Sequence, residues 1–167
     1  RNFNKQSNPI KKKPKEEKPK AIKHLPACLV VDGYNMIFSW DVFKDYKEEE
    51  LAISREKLLD ILFNYQAFTA EKMIVVFDGY KVKDNLGTIY SRKDMEVVYT
   101  SSNLTADAYI ERFVADHQKD YDITVASSDG LIQNAIFAQG AKRMSARELF
   151  GRITFINHEI EEQLTHS

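Results

Sequence analysis

The 167-residue chain carries 24 Lys or Arg against 25 Asp or Glu, and its net charge of −1 averages two unlike parts. Residues 1–23 hold nine basic and two acidic groups, a balance of +7, while the other 144 hold 15 basic and 23 acidic, a balance of −8. An acidic body excludes a simple duplex-DNA binder, which needs a basic face to neutralise phosphate, but not an enzyme whose carboxylates hold a cation.

Residues 1–26 read as a linker or tail: Lys-rich runs are broken by Pro9, Pro14, Pro19 and Pro26, all the prolines of the chain, and apolar residues are too sparse to offset ordering entropy. A solvated tether is the plainer reading and an RNA-binding arm the sharper one. The folded domain is expected over 27–167, with 19 aromatic residues in the whole chain to support its core. Apolar, β-branched runs at Cys28–Val31, Met73–Phe77, Val97–Tyr99 and Ile123–Ala126 are continuous rather than alternating, as in strands buried on both faces. Helical spacing covers Leu51–Phe68, Ala106–His117 and Leu131–Gln139, the last stopped by Gly140. Ser145-Ala146-Arg147-Glu148 has the capping-box pattern that opens a final helix. The order predicts a three-layer α/β domain with a mainly parallel central sheet. Gly79–Asp94 reads as a long irregular connection in which Tyr80, Lys81, Lys83, Tyr90, Arg92 and Lys93 interleave aromatic and basic groups. The single cysteine, Cys28, points to a reducing compartment. No apolar run approaches the ~20 residues that span a bilayer, so a cytoplasmic protein without a membrane partner is expected. The chain starts at Arg1 rather than Met, and we expect it to be a piece of a longer one.

In an open parallel sheet, ligands bind at the carboxyl ends of the strands. The first strand runs into Asp32, the second into Asp78, the third leads to Asp107, and the fourth ends at Ser127-Ser128-Asp129. Glu111 lies four residues after Asp107, on the same helical face. Each acid taken singly has a structural reading as a turn or cap residue. Together they would repel one another unless a cation intervened. An oxygen-only donor set suits Mg²⁺ or Mn²⁺, and the four scattered histidines do not suggest zinc. Such a cation activates water and neutralises a scissile phosphodiester. Asn35 could orient phosphate or be a turn residue, and Ser127 and Ser128 could donate to phosphate or cap a helix.

Val-Asp-Gly-Tyr-Asn-Met-Ile at 31–37, Val-Val-Phe-Asp-Gly at 75–79, Val-Val-Tyr-Thr at 97–100, Thr-Ala-Asp at 105–107, Ser-Ser-Asp at 127–129 and Gln-Gly-Ala-Lys-Arg-Met-Ser-Ala-Arg-Glu-Leu at 139–149 resemble the YacP-like branch of the NYN ribonucleases. NYN domains are similar to PIN nucleases, which bind Mg²⁺ with clustered acids and cleave RNA. The resemblance makes Asp32, Asp107 and Asp129 metal-anchoring catalytic acids, Asp78 a less uniform one, and Asn35 the motif asparagine. Glu111 joins the metal set from helical geometry alone. Arg55 stands where the family often has Arg, to touch phosphate or to pair with an acid on its own helix. Lys81, Arg92, Lys93, Arg143 and Ser128 complete the expected RNA-binding set, alongside Lys142 and Arg147, with solvated surface as the alternative for the basic groups. The function so implied is an Mg²⁺-dependent endoribonuclease acting on single-stranded RNA and leaving a 5′-phosphate and a 3′-hydroxyl. The family also implies ribosome-linked cleavage of mRNA, and similar domains occur as C-terminal modules of translational GTPases. A non-catalytic RNA- or ribosome-binding module and a phosphatase on a similar sheet are the alternatives. Tyr34 stands where a haloacid-dehalogenase-type phosphatase would want its second Asp.

Overall fold

The structure is a computed structural model and describes residues 24–46, 48–79, 88–101 and 103–166. Its strands are β1 (Ala27–Asp32), β2 (Lys72–Phe77), β3 (Thr88–Arg92), β4 (Met95–Tyr99), β5 (Asp122–Ala126) and β6 (Lys142–Met144). The helices are α1 (Gly33–Ser39), α2 (Leu51–Thr69), α3 (Ala106–His117), α4 (Gly130–Ala138) and α5 (Ala146–Thr165). The strands form one sheet in the order β3-β4-β2-β1-β5-β6, parallel throughout except for β3. None of the helices described is long and apolar enough to cross a membrane.

The continuous apolar strands divide their side chains between two cores, which is why they do not alternate with polar residues. Leu29, Val31, Met73, Val75 and Phe77 pack on one face with α1, α2 and α5. Cys28, Val30, Ile74, Val76 and Val125 pack on the other with α3 and α4. That is the expected three-layer domain. The Ser145 hydroxyl accepts from the Glu148 N–H at 3.0 Å, so the final helix starts with its expected cap. β1 opens at Ala27. The tail reading of residues 1–23 lies outside the described residues.

Three elements depart from expectation. Gly79–Asp94 is not irregular throughout, because its second half is β3, an antiparallel edge strand paired with β4. Exposed on the outside of the sheet, Ile-Tyr-Ser-Arg at 89–92 needs no apolar run. α1 follows β1 without a loop, through a Gly-Tyr-Asn sequence that reads as a turn. β6 is only three residues long, too short to show a period.

The strand order also fixes where a ligand can enter. From β1 the chain winds outward through β2 to β4, then crosses back to β5 on the other side of β1. The winding therefore reverses between β1 and β5, and a crevice opens beyond their carboxyl ends. Asp32 closes β1 and Ser127-Ser128-Asp129 follows β5 at that point.

Candidate active site

Asp32 is the centre of the crevice. It is only 8 % exposed, and burial pushes its carboxyl up to about 6 from 3.8, helped by the charges of Asp107 and Asp129. Two groups oppose this by favouring the ionised form: the Ser127 hydroxyl, which donates to Asp32 Oδ2 at 3.0 Å, and the Asn35 backbone amide. Asp107, half-buried in the first turn of α3, is also raised, first by burial and then by the charges of Asp129, Asp78 and Glu111. Five carboxylates thus act on one another at one sheet edge, as the strand ends predicted.

Their backbone is tied together by the short β5–α4 loop. The fully buried Ser127 accepts from the Asp129 N–H at 3.1 Å while it donates to Asp32. The Gln133 side chain donates to the Ser127 carbonyl at 2.7 Å. Asp129 accepts from the Leu131 N–H at 3.0 Å and so caps α4. Asn35 Oδ1 accepts from the Ser128 N–H at 2.8 Å, joining α1 to this loop. Ser128 Oγ accepts from the Ala146 N–H at 2.9 Å, at the start of α5. The two serines and Asn35 therefore hold the site's shape, and Ser127 and Gln133 do so in ways the sequence did not reveal. The adjacent serines before Asp129 were the available signal.

Asp78 ends β2 beside the group, and the next residue, Gly79, donates its N–H to Thr100 Oγ1 at 3.0 Å. Among the described residues Arg55 pairs with no acid. It donates to the Tyr34 hydroxyl at 3.0 Å and lies 5.9 Å from the centre of the Tyr99 ring.

The basic residues expected to guide RNA are dispersed. Arg92 pairs in the sheet with Met95, whereas Thr88 pairs with Tyr99 at the acid edge. Four residue steps separate the two ends, about 13 Å at ~3.3 Å per residue. Arg92 and Lys93 thus lie at the opposite edge from Asp32. Arg143 in β6 packs 4.9 Å from the Phe137 ring centre on the α4 side. Lys142 pairs with Asp122 at 3.1 Å. Tyr80 and Lys81 lie outside the described residues.

The donors fit a hard divalent cation. They are carboxylate oxygens alone, at least partly buried, with mutual repulsion that a cation relieves. Among the described residues no three acidic, His or Cys side chains converge into a ready-made cage. Mg²⁺ does not require one, since it retains waters and is commonly held by one or two carboxylates.

A Rossmann-like sheet with acids gathered at its switch point is the architecture of PIN-like nucleases. Residues 29–167 match the family model of the YacP-like NYN domain, and the chain belongs to that family. It is 41 % identical over 137 residues to the protein YacP of Bacillus subtilis (strain 168), covering 81 % of this chain and 80 % of YacP. It is also similar to the crystal structure of Rae1 (YacP) from Bacillus subtilis in its W164L form, with a TM-score of 0.73 and 37 % identity over 84 % of this chain and 82 % of that one. The crystal structure of Rae1 without that substitution gives a TM-score of 0.68, also at 37 % identity, over 83 % and 80 %.

Proposed function

We propose that this domain is a Mg²⁺- or Mn²⁺-dependent endoribonuclease that cleaves single-stranded RNA. The observation that carries this reading is the buried Asp32 at the switch point, under the charges of Asp107 and Asp129. Asp32, Asp107 and Asp129 would hold the cation, with Glu111 completing the set on the face of α3 it shares with Asp107. When bound there, the cation supplies an acidified water and neutralises charge on the scissile phosphate. The protein's own part is positional. Ser127 holds the Asp32 carboxylate by its hydrogen bond, and the Asn35–Ser128 bond ties α1 to the β5–α4 loop. Asp78, whose charge acts on Asp107, would be the neighbouring carboxylate to accept a proton from water that the cation acidifies. Hydrolysis of the kind the family resemblance implies would leave a 5′-phosphate and a 3′-hydroxyl.

The family resemblance extends the proposal to mRNA on ribosomes in the cytoplasm, with the domain as the C-terminal module of a translational GTPase-like chain. The test is incubation of a defined single-stranded RNA with wild-type protein and Asp107→Asn, with Mg²⁺, with Mn²⁺ and with chelator, each with and without ribosomes. Cation-dependent cutting by the wild type and loss of at least about 100-fold in the variant are expected. Equal cutting by both would overturn the assignment.

A further inference from the structure

A second feature lies away from the acids. Across a cavity of about 170 Å³, Leu59 and Phe63 of α2 face Tyr90, Arg92, Met95 and Val97 of the β3–β4 hairpin. The Arg92 guanidinium lies over Phe63, its central carbon 3.8 Å from the ring centre. Among the described residues Arg92 makes no ion pair. Tyr90 stands 59 % exposed and edge-on to Tyr99, with ring centres 5.9 Å apart. Lys93, exposed in the turn that follows, adds a second cation.

We propose that this slot is a nucleobase subsite, which grips single-stranded RNA at a distance from the acids and so fixes where the strand is cut. The inference rests on the endoribonuclease reading above. An apolar floor, an exposed aromatic ring and a planar cation are what single-stranded nucleic acid uses for stacking, with nearby positive charge for its phosphates. The cavity falls below the ~300 Å³ of pockets for drug-sized ligands and suits one ring system. Asp60, also on its wall, is an acceptor for exocyclic amino groups. β3 supplies the path, since Thr88 at one end pairs with Tyr99 at the acid edge and Arg92 at the other closes the slot.

The experiment is fluorescence anisotropy of the full chain with a single-stranded RNA of roughly 12 nucleotides, within the ~4–16 that such sites cover, in chelator and in Mg²⁺. Cut positions are mapped on a longer RNA in parallel. Tyr90→Ala and Arg92→Ala are expected to weaken binding roughly 5- to 150-fold, the range of one lost base–aromatic stack. Arg92→Lys keeps the charge without the plane and should stay weak. KM should rise more than kcat, and cut positions should spread. Both residues are exposed on an edge strand, so unchanged melting curves verify that the variants are folded. If the wild type binds and cuts RNA and all three variants match it within about twofold, the subsite is overturned and the nuclease reading stands. If binding depends on the slot but no cation supports cutting, the subsite stands and the nuclease reading falls. Absence of any RNA binding by the wild type overturns both.

Discussion

At the scale of single residues, Asp32 costs the fold stability in exchange for its position. Its carboxyl titrates at about 6 in the folded protein against 3.8 when unperturbed. Below the lower value both states hold the proton and the residue is neutral to stability. Between the two, the folded state keeps a proton that the unfolded state releases, so stability falls as pH rises. Above about 6 the whole penalty applies. Asp32→Asn should therefore raise Tm at pH 7, by about 1–3 kcal/mol of stability, and lose that advantage in melts near pH 3.5, while RNA cleavage disappears. Ser127→Ala removes a donor that favours the ionised form. The acid limb of its kcat/KM profile should move upward by about one pH unit, since a hydrogen bond to a charge is worth about 1.5–3 kcal/mol. Ser127→Thr, which retains the hydroxyl, should restore the limb. The convergence of Asp32, Asp107 and Asp129 was legible in sequence because each follows the end of a parallel strand. The duties of Ser127 were not, because its partner Asp32 is 95 residues away.

At the scale of elements, two junctions show what local pattern conveys and what it omits. α2 ends where Ala70 takes a left-handed φ of 56° and its N–H bonds to Gln66 O at 2.8 Å. Glycine usually fills that position, so no stop signal was visible beyond the fading apolar period. Ala70→Gly should raise stability by about 0.5–1 kcal/mol, read as a higher urea midpoint at unchanged slope. The β1–α1 junction has the opposite constraint. A Cβ on Gly33 would run into the fully buried Phe77 ring at the end of β2. Gly33→Ala should cost about 1–3 kcal/mol, measured in the same titration, and disturb Asp32 through the adjoining backbone. The glycine was visible in sequence, but the ring that requires it comes from another strand. β3 escaped notice for a related reason: an edge strand with one neighbour does not need the apolar run that revealed the four strands β1, β2, β4 and β5.

At the scale of the whole molecule, five of the acidic body's 23 acids gather at the carboxyl edge of the sheet, while Arg92 and Lys93 lie at the other. A cation bound among the acids should stabilise the whole domain, since it binds the folded state alone. At 100 times its Kd the gain is about 2.7 kcal/mol. Thermal melts with increasing Mg²⁺ or Mn²⁺ should show a rising Tm for the wild type and a flattened response for Asp107→Asn. The Ser127–Asp32 and Asn35–Ser128 bonds carry a further consequence, because they span 95 and 93 residues. A chain emerging from synthesis holds Asp32, Asp78 and Asp107 well before it holds the loop that aligns them. Fragments ending before β5 would carry four of the five acids, Asp32, Asp78, Asp107 and Glu111, without the clamp, so the site is assembled only when the sheet is nearly complete. On the nuclease reading proposed above, a chain still being translated has no assembled site with which to cut RNA until its own fold has closed.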